Sequence, residues 1–189
     1  MPQDSDEILV AAKGDIYIAP VGTSLPTTEV AALNGAFINL GYTTEEGTSL
    51  NYGQTTEEIG AWQSATPVRR IRTGTSMAVT FNLLQFNRLS TSLAFGGGTW
   101  SNASATSWRY DPPDEDDAIA EYAMVVDWQD GSKKTRLVME RSTVSEDVQT
   151  TLVRTNAAVL PITLKSLKPE NSNSAWYQVT GDPEYGTTS

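Results

Sequence analysis

Three pairs of acids are the first residues in this sequence whose types and spacing could do chemistry: Glu45-Glu46, Glu57-Glu58 and Asp116-Asp117. Glycoside hydrolysis runs on two carboxylates set across a cleft. A chain with 23 acids holds such pairs by chance, however, and nothing in the spacing sets any of them opposite one another. A serine activated by Lys133, Lys134 or Lys165 is the other nucleophilic option, and no motif supports it. "DPPDEDD" (111–117) packs five acids into seven residues. A calcium loop wants acids at alternating positions, a central glycine and a closing glutamate, and the Pro112-Pro113 pair and the missing glycine break that pattern. The segment reads as a solvated acidic loop. Gly96-Gly97-Gly98 follows a helical pattern instead of preceding one, and no Lys-Ser/Thr comes after it, so it is a helix stop and not a phosphate loop. Asn102-Ala103-Ser104 matches the N-glycosylation pattern, which carries little without an export signal.

Two absences weigh more than these motifs. The chain has neither histidine nor cysteine. The commonest general base and zinc ligand is therefore missing, along with thiolate nucleophiles, thiolate metal sites and disulfides. No enzyme activity, cofactor or metal is expected.

The elements that hold these residues are mostly strands. The 189 residues suit a single domain over 1–189, and 39% apolar residues allow a core. No stretch approaches the roughly 20 apolar residues of a membrane span. The opening "MPQDSDEILVAAKG" lacks a charged-then-apolar leader, so no secretory export is expected. "GDIYIAP" (14–20) reads as a strand, 21–35 as loop, and "AFINLGYTTEE" (36–46) as a second strand with a turn near Gly47. In "SMAVTFNLL" (76–84), Met77, Val79, Phe81 and Leu83 alternate as on a half-buried strand. "FNRLSTSLAFGGG" carries the single helix, about nine residues by ordinary helix statistics. Asn87 is its N-cap, Gly96 its stop, and Phe86, Leu89, Leu93 and Ala94 form its apolar stripe. Residues 121–142 are a hairpin turning at Asp130-Gly131, with Tyr122, Met124, Val126 and Trp128 on one face and Leu137 and Met139 opposite. Residues 150–167 read as one long strand with Leu152, Ala158, Leu160, Ile162 and Leu164 on one side, bent, bulged or at an edge where Pro161 cannot donate. "AWYQVTGD" (175–182) is a last short strand. No internal repeat is present. The sum is a mainly β chain: a β-sandwich or barrel of about eight strands with one flanking α-helix.

One stretch fits no core. "NYGQTTEEIGAWQSATPVRRIRTG" (51–74) is polar and two-signed, with Trp62 between Glu57-Glu58 and Arg69, Arg70 and Arg72. Trp128 and Trp176 have apolar company and read as core, whereas Trp62 has only Ile59 and Ala61. Aromatic anchors flanked by polar residues are typical of interfaces. Residues 51–74 are therefore expected to be an extended hairpin arm whose partner is another molecule, with Glu57, Glu58, Trp62, Arg69, Arg70 and Arg72 at a subunit contact. The termini, about 1–12 and 181–189, are expected to be an arm and a tail.

Charge agrees. Net charge is −10. Residues 1–68 hold Asp4, Asp6, Glu7, Asp15, Glu29, Glu45, Glu46, Glu57 and Glu58 against one base, Lys13. Nucleic acid is held by clustered Lys and Arg, so this surface is not expected to grip DNA.

The order of residues resembles the major tail tube proteins of long-tailed (siphovirus-type) bacteriophages, above all those of actinobacteriophages. The resemblance runs over residues 13–98 and rests on "GDIYIAPVGT" (14–23), "FINLGY" (37–42) and "TEEIGAW" (56–62). The phrase "TNAAVL", which in that family goes with the start of the helix, stands here at 155–160, and "FNRLSTSLAFGGG" fills the helix position. The resemblance implies the phage tail tube fold and a structural virion protein that self-assembles into stacked hexameric rings. The rings form a hollow tail tube, a conduit for viral DNA ejection into the host. It implies itself as partner, together with the tape-measure, tail terminator and distal tail proteins, and no membrane. Double-stranded DNA would pass the lumen without specific binding. It places the protein in the virion tail, assembled in the host cytoplasm. A negative lumen repels phosphates, and strand alternation puts Asp127, opposite Trp128, among the candidates to face it. The other reading of the residues is a different virion or secreted β-sandwich module: an adhesin, a decoration protein or a sugar-binding domain.

Overall fold

Alternation decides where the strands bury themselves. The computed structural model describes residues 8–170 and 174–186. In chain order these hold β1 (Lys13–Pro20), β2 (Ile38–Asn39), β3 (Thr43–Ala61), β4 (Ser64–Leu83), α1 (Arg88–Ala94), β5 (Thr99–Ser104), β6 (Ser107–Asp111), β7 (Glu121–Asp130), β8 (Lys133–Val144), β9 (Leu160–Ser166) and β10 (Tyr177–Thr180). One 8-stranded sheet runs β2-β1-β7-β8-β9-β4-β3, with β10 on β8, and every pairing is antiparallel. The chain is therefore mainly β, with one α-helix among the described residues, as expected. β10 takes β8 at Arg136–Val138 and its neighbours, and β9 takes the same strand at Ser142–Val144.

Met77, Val79, Phe81 and Leu83 of β4 share one apolar cluster with Ile16 and Ile18 of β1, Met124 and Val126 of β7, Leu137 and Met139 of β8, and Leu160, Ile162 and Leu164 of β9. Strands far apart in the sheet order meet in this cluster, so the sheet curls around it. Leu93 and Ala94 of α1 close the cluster. Each buried Ile, Leu, Val, Met or Phe side chain in it contributes roughly 1.5–3 kcal/mol relative to exposure.

The other face of β1, β7 and β8 is covered too. Ala19, Ala123, Val125 and Val138 pack with Phe37, Leu25 and Leu33 from the 21–37 connection, and with Tyr177 of β10. Burial on both faces is why "AMVV" (123–126) is a continuous apolar run. The sequence shows that loop only as a connection, because its Gly, Thr and Pro content hides a few well-placed apolar residues.

α1 has the expected cap. The Asn87 side chain accepts from the Leu89 and Ser90 amides, and the Ser90 hydroxyl accepts from the Asn87 amide, a full capping box. The helix is 7 residues long. Gly96, Gly97 and Gly98 all take positive φ, and a Cβ on Gly98 would lie 2.6 Å from the Asp111 carbonyl oxygen. The triplet is thus a chain reversal that seats the β5–β6 hairpin. That hairpin was missed in the sequence, because its alternation is carried by Trp100, Trp108 and Tyr110 among small polar residues. Its anchors are the Trp100 Nε1–H to Ser92 Oγ (3.0 Å) and the Tyr110 hydroxyl to the Gly97 carbonyl (3.0 Å).

Three expectations need correction. The strand placed at 36–46 is interrupted at Leu40–Tyr42. Gly47 is no turn but part of an irregularity inside β3, between the Thr43–Leu83 and Thr48–Phe81 pairs. Positive φ at Gly41 breaks the strand, and positive φ at Gly47 lets it continue past extra residues. The strand placed at 150–167 begins only at Leu160, and Leu152 is 80% exposed. Apolar side chains in 150–159 have no facing strand. Pro161 does sit where β9 has β4 on one side only, since β8 meets β9 from Leu164 onward. The expected N-terminal arm and C-terminal tail lie partly outside the described residues, at 1–7 and 187–189. Among the described residues no helix is long and apolar enough to cross a membrane.

Candidate assembly surfaces

β3 and β4 part company with the body halfway along. β4 pairs with β9 only from Ala78 to Leu83. Below Ala78 its remaining partner is β3, out to the Ala61–Ser64 pair that flanks Trp62-Gln63. The segment Tyr52–Ala61 therefore belongs to a two-stranded ribbon about 33 Å long at ~3.3 Å per residue. Alternate burial stops at the same point: residues 77, 79, 81 and 83 are buried, while Arg69, Arg70, Arg72 and Val68 are exposed. An extra residue, Thr73, stands between the Thr55–Gly74 and Thr56–Arg72 pairs, so the ribbon bulges.

The residues singled out in 51–74 all lie on this ribbon. Trp62 is at its tip and 98% exposed. Glu58 and Arg70 stand opposite one another and form an ion pair, with the Arg70 Nε–H donating at 3.0 Å. The antiparallel register joins them inside the arm. Glu57 lies across from Ile71, Arg69 from Ile59 and Arg72 from Thr56. Their charges have no ion-pair partner among the described residues. Tyr52 at the base meets Trp176 edge to face, with centroids 5.9 Å apart. Trp176 and Trp128 are half-buried against the main cluster.

Both long edges of the ribbon are open backbone. An open edge is a template for another strand. Pro67 removes one donor from the β4 side. β2, at the far end of the sheet, is only 2 residues long, so that end offers a short edge next to β1.

Asp127 stands on the face opposite Trp128, as alternation requires, yet it is 8% exposed. Arg136, its cross-strand partner, donates to both carboxylate oxygens, at 2.6 and 2.7 Å. The same guanidinium donates to the Thr28 and Ala31 carbonyls at 3.0 and 2.8 Å. The Asp127 bond holds the guanidinium pKa above its ordinary value. The pair is thus a clamp that fastens the 21–37 loop over the second apolar cluster, and the Tyr177 hydroxyl to the Pro26 carbonyl (2.8 Å) adds a second tie. Charge matched this closely within the chain leaves Asp127 little field to project. Arg136 had not been singled out in the sequence. Counting outward from the Gly131-Ser132 turn would have found it, because that turn pairs 127 with 136.

No group of three or more acidic, histidine or cysteine side chains suited to a metal ion exists among the described residues. No curated protein matches the chain. A family model described as phage tail tube protein matches residues 1–188. With a curled antiparallel sheet, a projecting ribbon and open sheet edges already in view, that match over nearly every residue decides the matter: the chain belongs to the phage tail tube protein family, whose role is structural, in the tube of the virion tail.

Proposed function

We propose that the protein is the repeating subunit of a siphovirus-type tail tube, of the actinobacteriophage kind. Copies join side by side into hexameric rings, and rings stack into a hollow cylinder that carries viral DNA to the host. The chain acts as a building block and not as a catalyst. The observation that carries this reading is the ribbon: about 33 Å of exposed backbone tipped by the indole of Trp62, 98% exposed. An isolated two-stranded ribbon is marginal in water, so a second molecule is its natural support. Open edges pair laterally, and a tip that meets a different surface of its neighbour makes a heterologous contact, which grows a filament where the rotation between copies does not close. Glu57, Glu58, Trp62, Arg69, Arg70 and Arg72 lie at the subunit contact. Trp62 contributes anchoring area, and Glu57, Arg69 and Arg72 contribute register, since exposed ion pairs supply only about 0–1 kcal/mol each. Asp127 belongs to the wall through its loop clamp.

Net charge of −10 suits a conduit: a basic wall would hold phosphates, and an acidic one lets the duplex pass. The tape-measure protein would fill the lumen before DNA, and the tail terminator and distal tail proteins would bound the cylinder. Assembly takes place in the host cytoplasm, before the virion is released.

The test is electron microscopy and sedimentation of the purified chain at rising concentration, alone and seeded with tail fragments. Hollow cylinders with a regular axial repeat are the expected result. A species that stays monomeric under every condition overturns the proposal.

A further inference from the structure

Resting on the tube reading above, a second inference concerns where the arm lands. A cleft of about 380 Å³ opens between β1, the start of β3 and β7. Its floor is apolar, with Ile16, Leu50, Val126 and Trp128, and Glu45 and Glu46 stand on its lining. Glu46 is fixed by the Asn82 amide at 3.1 Å, a neutral donor that leaves its charge in place. The cleft lies on the seam where the curled sheet fails to close: among the described strands, β3 has β4 as its one partner. Its size falls within the ~300–1,000 Å³ of clefts that take ring-sized groups.

We infer that this cleft receives the arm tip of a second copy, with the Trp62 indole on the apolar floor and Arg69 and Arg72 against Glu45 and Glu46. Two observations select this occupant. The first is charge: the acids at the cleft are matched by the arginines of the ribbon that lack an ion-pair partner among the described residues, while Arg70 is engaged by Glu58. Glu57, the one acid of the ribbon left unpaired, stands two residues further from the tip than Ile59, the partner of Arg69. Asp127 also lines the cleft, and its charge is met by Arg136 and by Lys134 at 3.5 Å. The second is reach. Leu50 of β3 lines the cleft, and Trp62, in the turn just past the end of that strand, is twelve positions further along the chain, about 40 Å at ~3.3 Å per residue. β3 is paired with β4 along that length, so the arm cannot fold back into its own cleft. Tip and cleft are different surfaces of one molecule, so joining them makes a heterologous contact that each copy can pass on to the next.

Because the chain has no cysteine, engineered ones report contacts without background. Gln63→Cys is combined with Thr48→Cys, and separately with Leu50→Cys, and assembled tubes are oxidised and run without reductant. A ladder of covalent multimers is expected from both double variants. Dimers alone are expected when two single variants are mixed, and no cross-link when Gln63→Cys is combined with Thr106→Cys on the second hairpin. Tubes that form normally but give no 63–48 or 63–50 cross-link overturn the docking site and leave the tube reading standing. Failure of the unmodified chain to form tubes overturns both. Should the cleft cysteines block assembly in chains with an unchanged circular dichroism spectrum, charge exchange decides. Glu45→Arg with Glu46→Arg, and Arg69→Glu with Arg72→Glu, should each cut tube yield at least tenfold at low salt, and all four together should restore it. No restoration overturns the inference.

Discussion

The strand β4 passes through two environments, and the contrast is the main physical lesson of the molecule. From Met77 to Leu83 every second side chain is buried in a cluster shared by five strands and a helix. From Ser64 to Ser76 none is. The backbone conformation is the same, and the pairing with β3 continues across the boundary with one bulge near it. What changes is the number of neighbours. A strand inside the sheet needs a face that suits its own chain. A strand beyond it needs a face that suits a partner, and its sequence then shows charge and one isolated aromatic where alternation would have been.

Substitutions that separate the two halves should fall in a clear order of effect on the folded monomer. Phe81→Ala, in the buried half, should cost about 3–5 kcal/mol, read from urea unfolding. Arg136→Met leaves the buried Asp127 carboxylate with only the longer contact to Lys134 at 3.5 Å and frees the 21–37 loop, so a loss of about 3 kcal/mol is expected. It should come with faster amide exchange confined to 21–37, and a uniform rise across the chain would refute the clamp. Trp62→Ala, in the projecting half, should change monomer stability by less than about 0.5 kcal/mol while abolishing polymerisation in sedimentation. A large drop in its melting temperature would mean that the tip packs on its own chain and would erase the contrast.

The smallest effect expected concerns acid. Arg141 donates to both oxygens of Glu121, at 2.6 and 2.8 Å, and this hydrogen bonding holds the Glu121 carboxyl below its ordinary value of 4.5. A carboxyl whose pKa is depressed by folding contributes stability above its unfolded value and loses it as pH falls through the folded one. Glu121→Gln should therefore lower stability slightly at pH 7 and flatten its dependence below about pH 4.5, with no change in tube formation at neutral pH.

Much of the fold was legible because local rules and tertiary demands coincide. Gly131 with φ +55 sits first in the β7–β8 turn and Ser132 does not take positive φ, the pattern of a II′ hairpin. Asn87 and Ser90 cap α1 from side chains alone. Where a partner lies far along the chain, legibility fails. The 150–159 stretch has strand-like residues and no strand beside it. The cover formed by Leu25, Leu33 and Phe37 cannot be read from a segment that looks like linker. The candidate site shows the same division. The polarity of the arm and its lone indole are visible in the sequence, but the Glu58–Arg70 pair needed the register, and the clamp of Asp127 on Arg136 needed the turn placed one residue later than Asp130-Gly131 suggests.

β8 divides one flank between β10 and β9, both drawn from the last thirty residues of the chain. During synthesis that flank stays vacant until residues 160–180 have left the ribosome. The β3–β4, β5–β6 and β7–β8 hairpins are local and form early, whereas the β1–β7 and β4–β9 joins bridge long separations and come late. The projecting ribbon is thus ready before the body that must carry it, and a nascent chain cannot offer a finished surface to its fellows until β9 and β10 have been made and paired with β8.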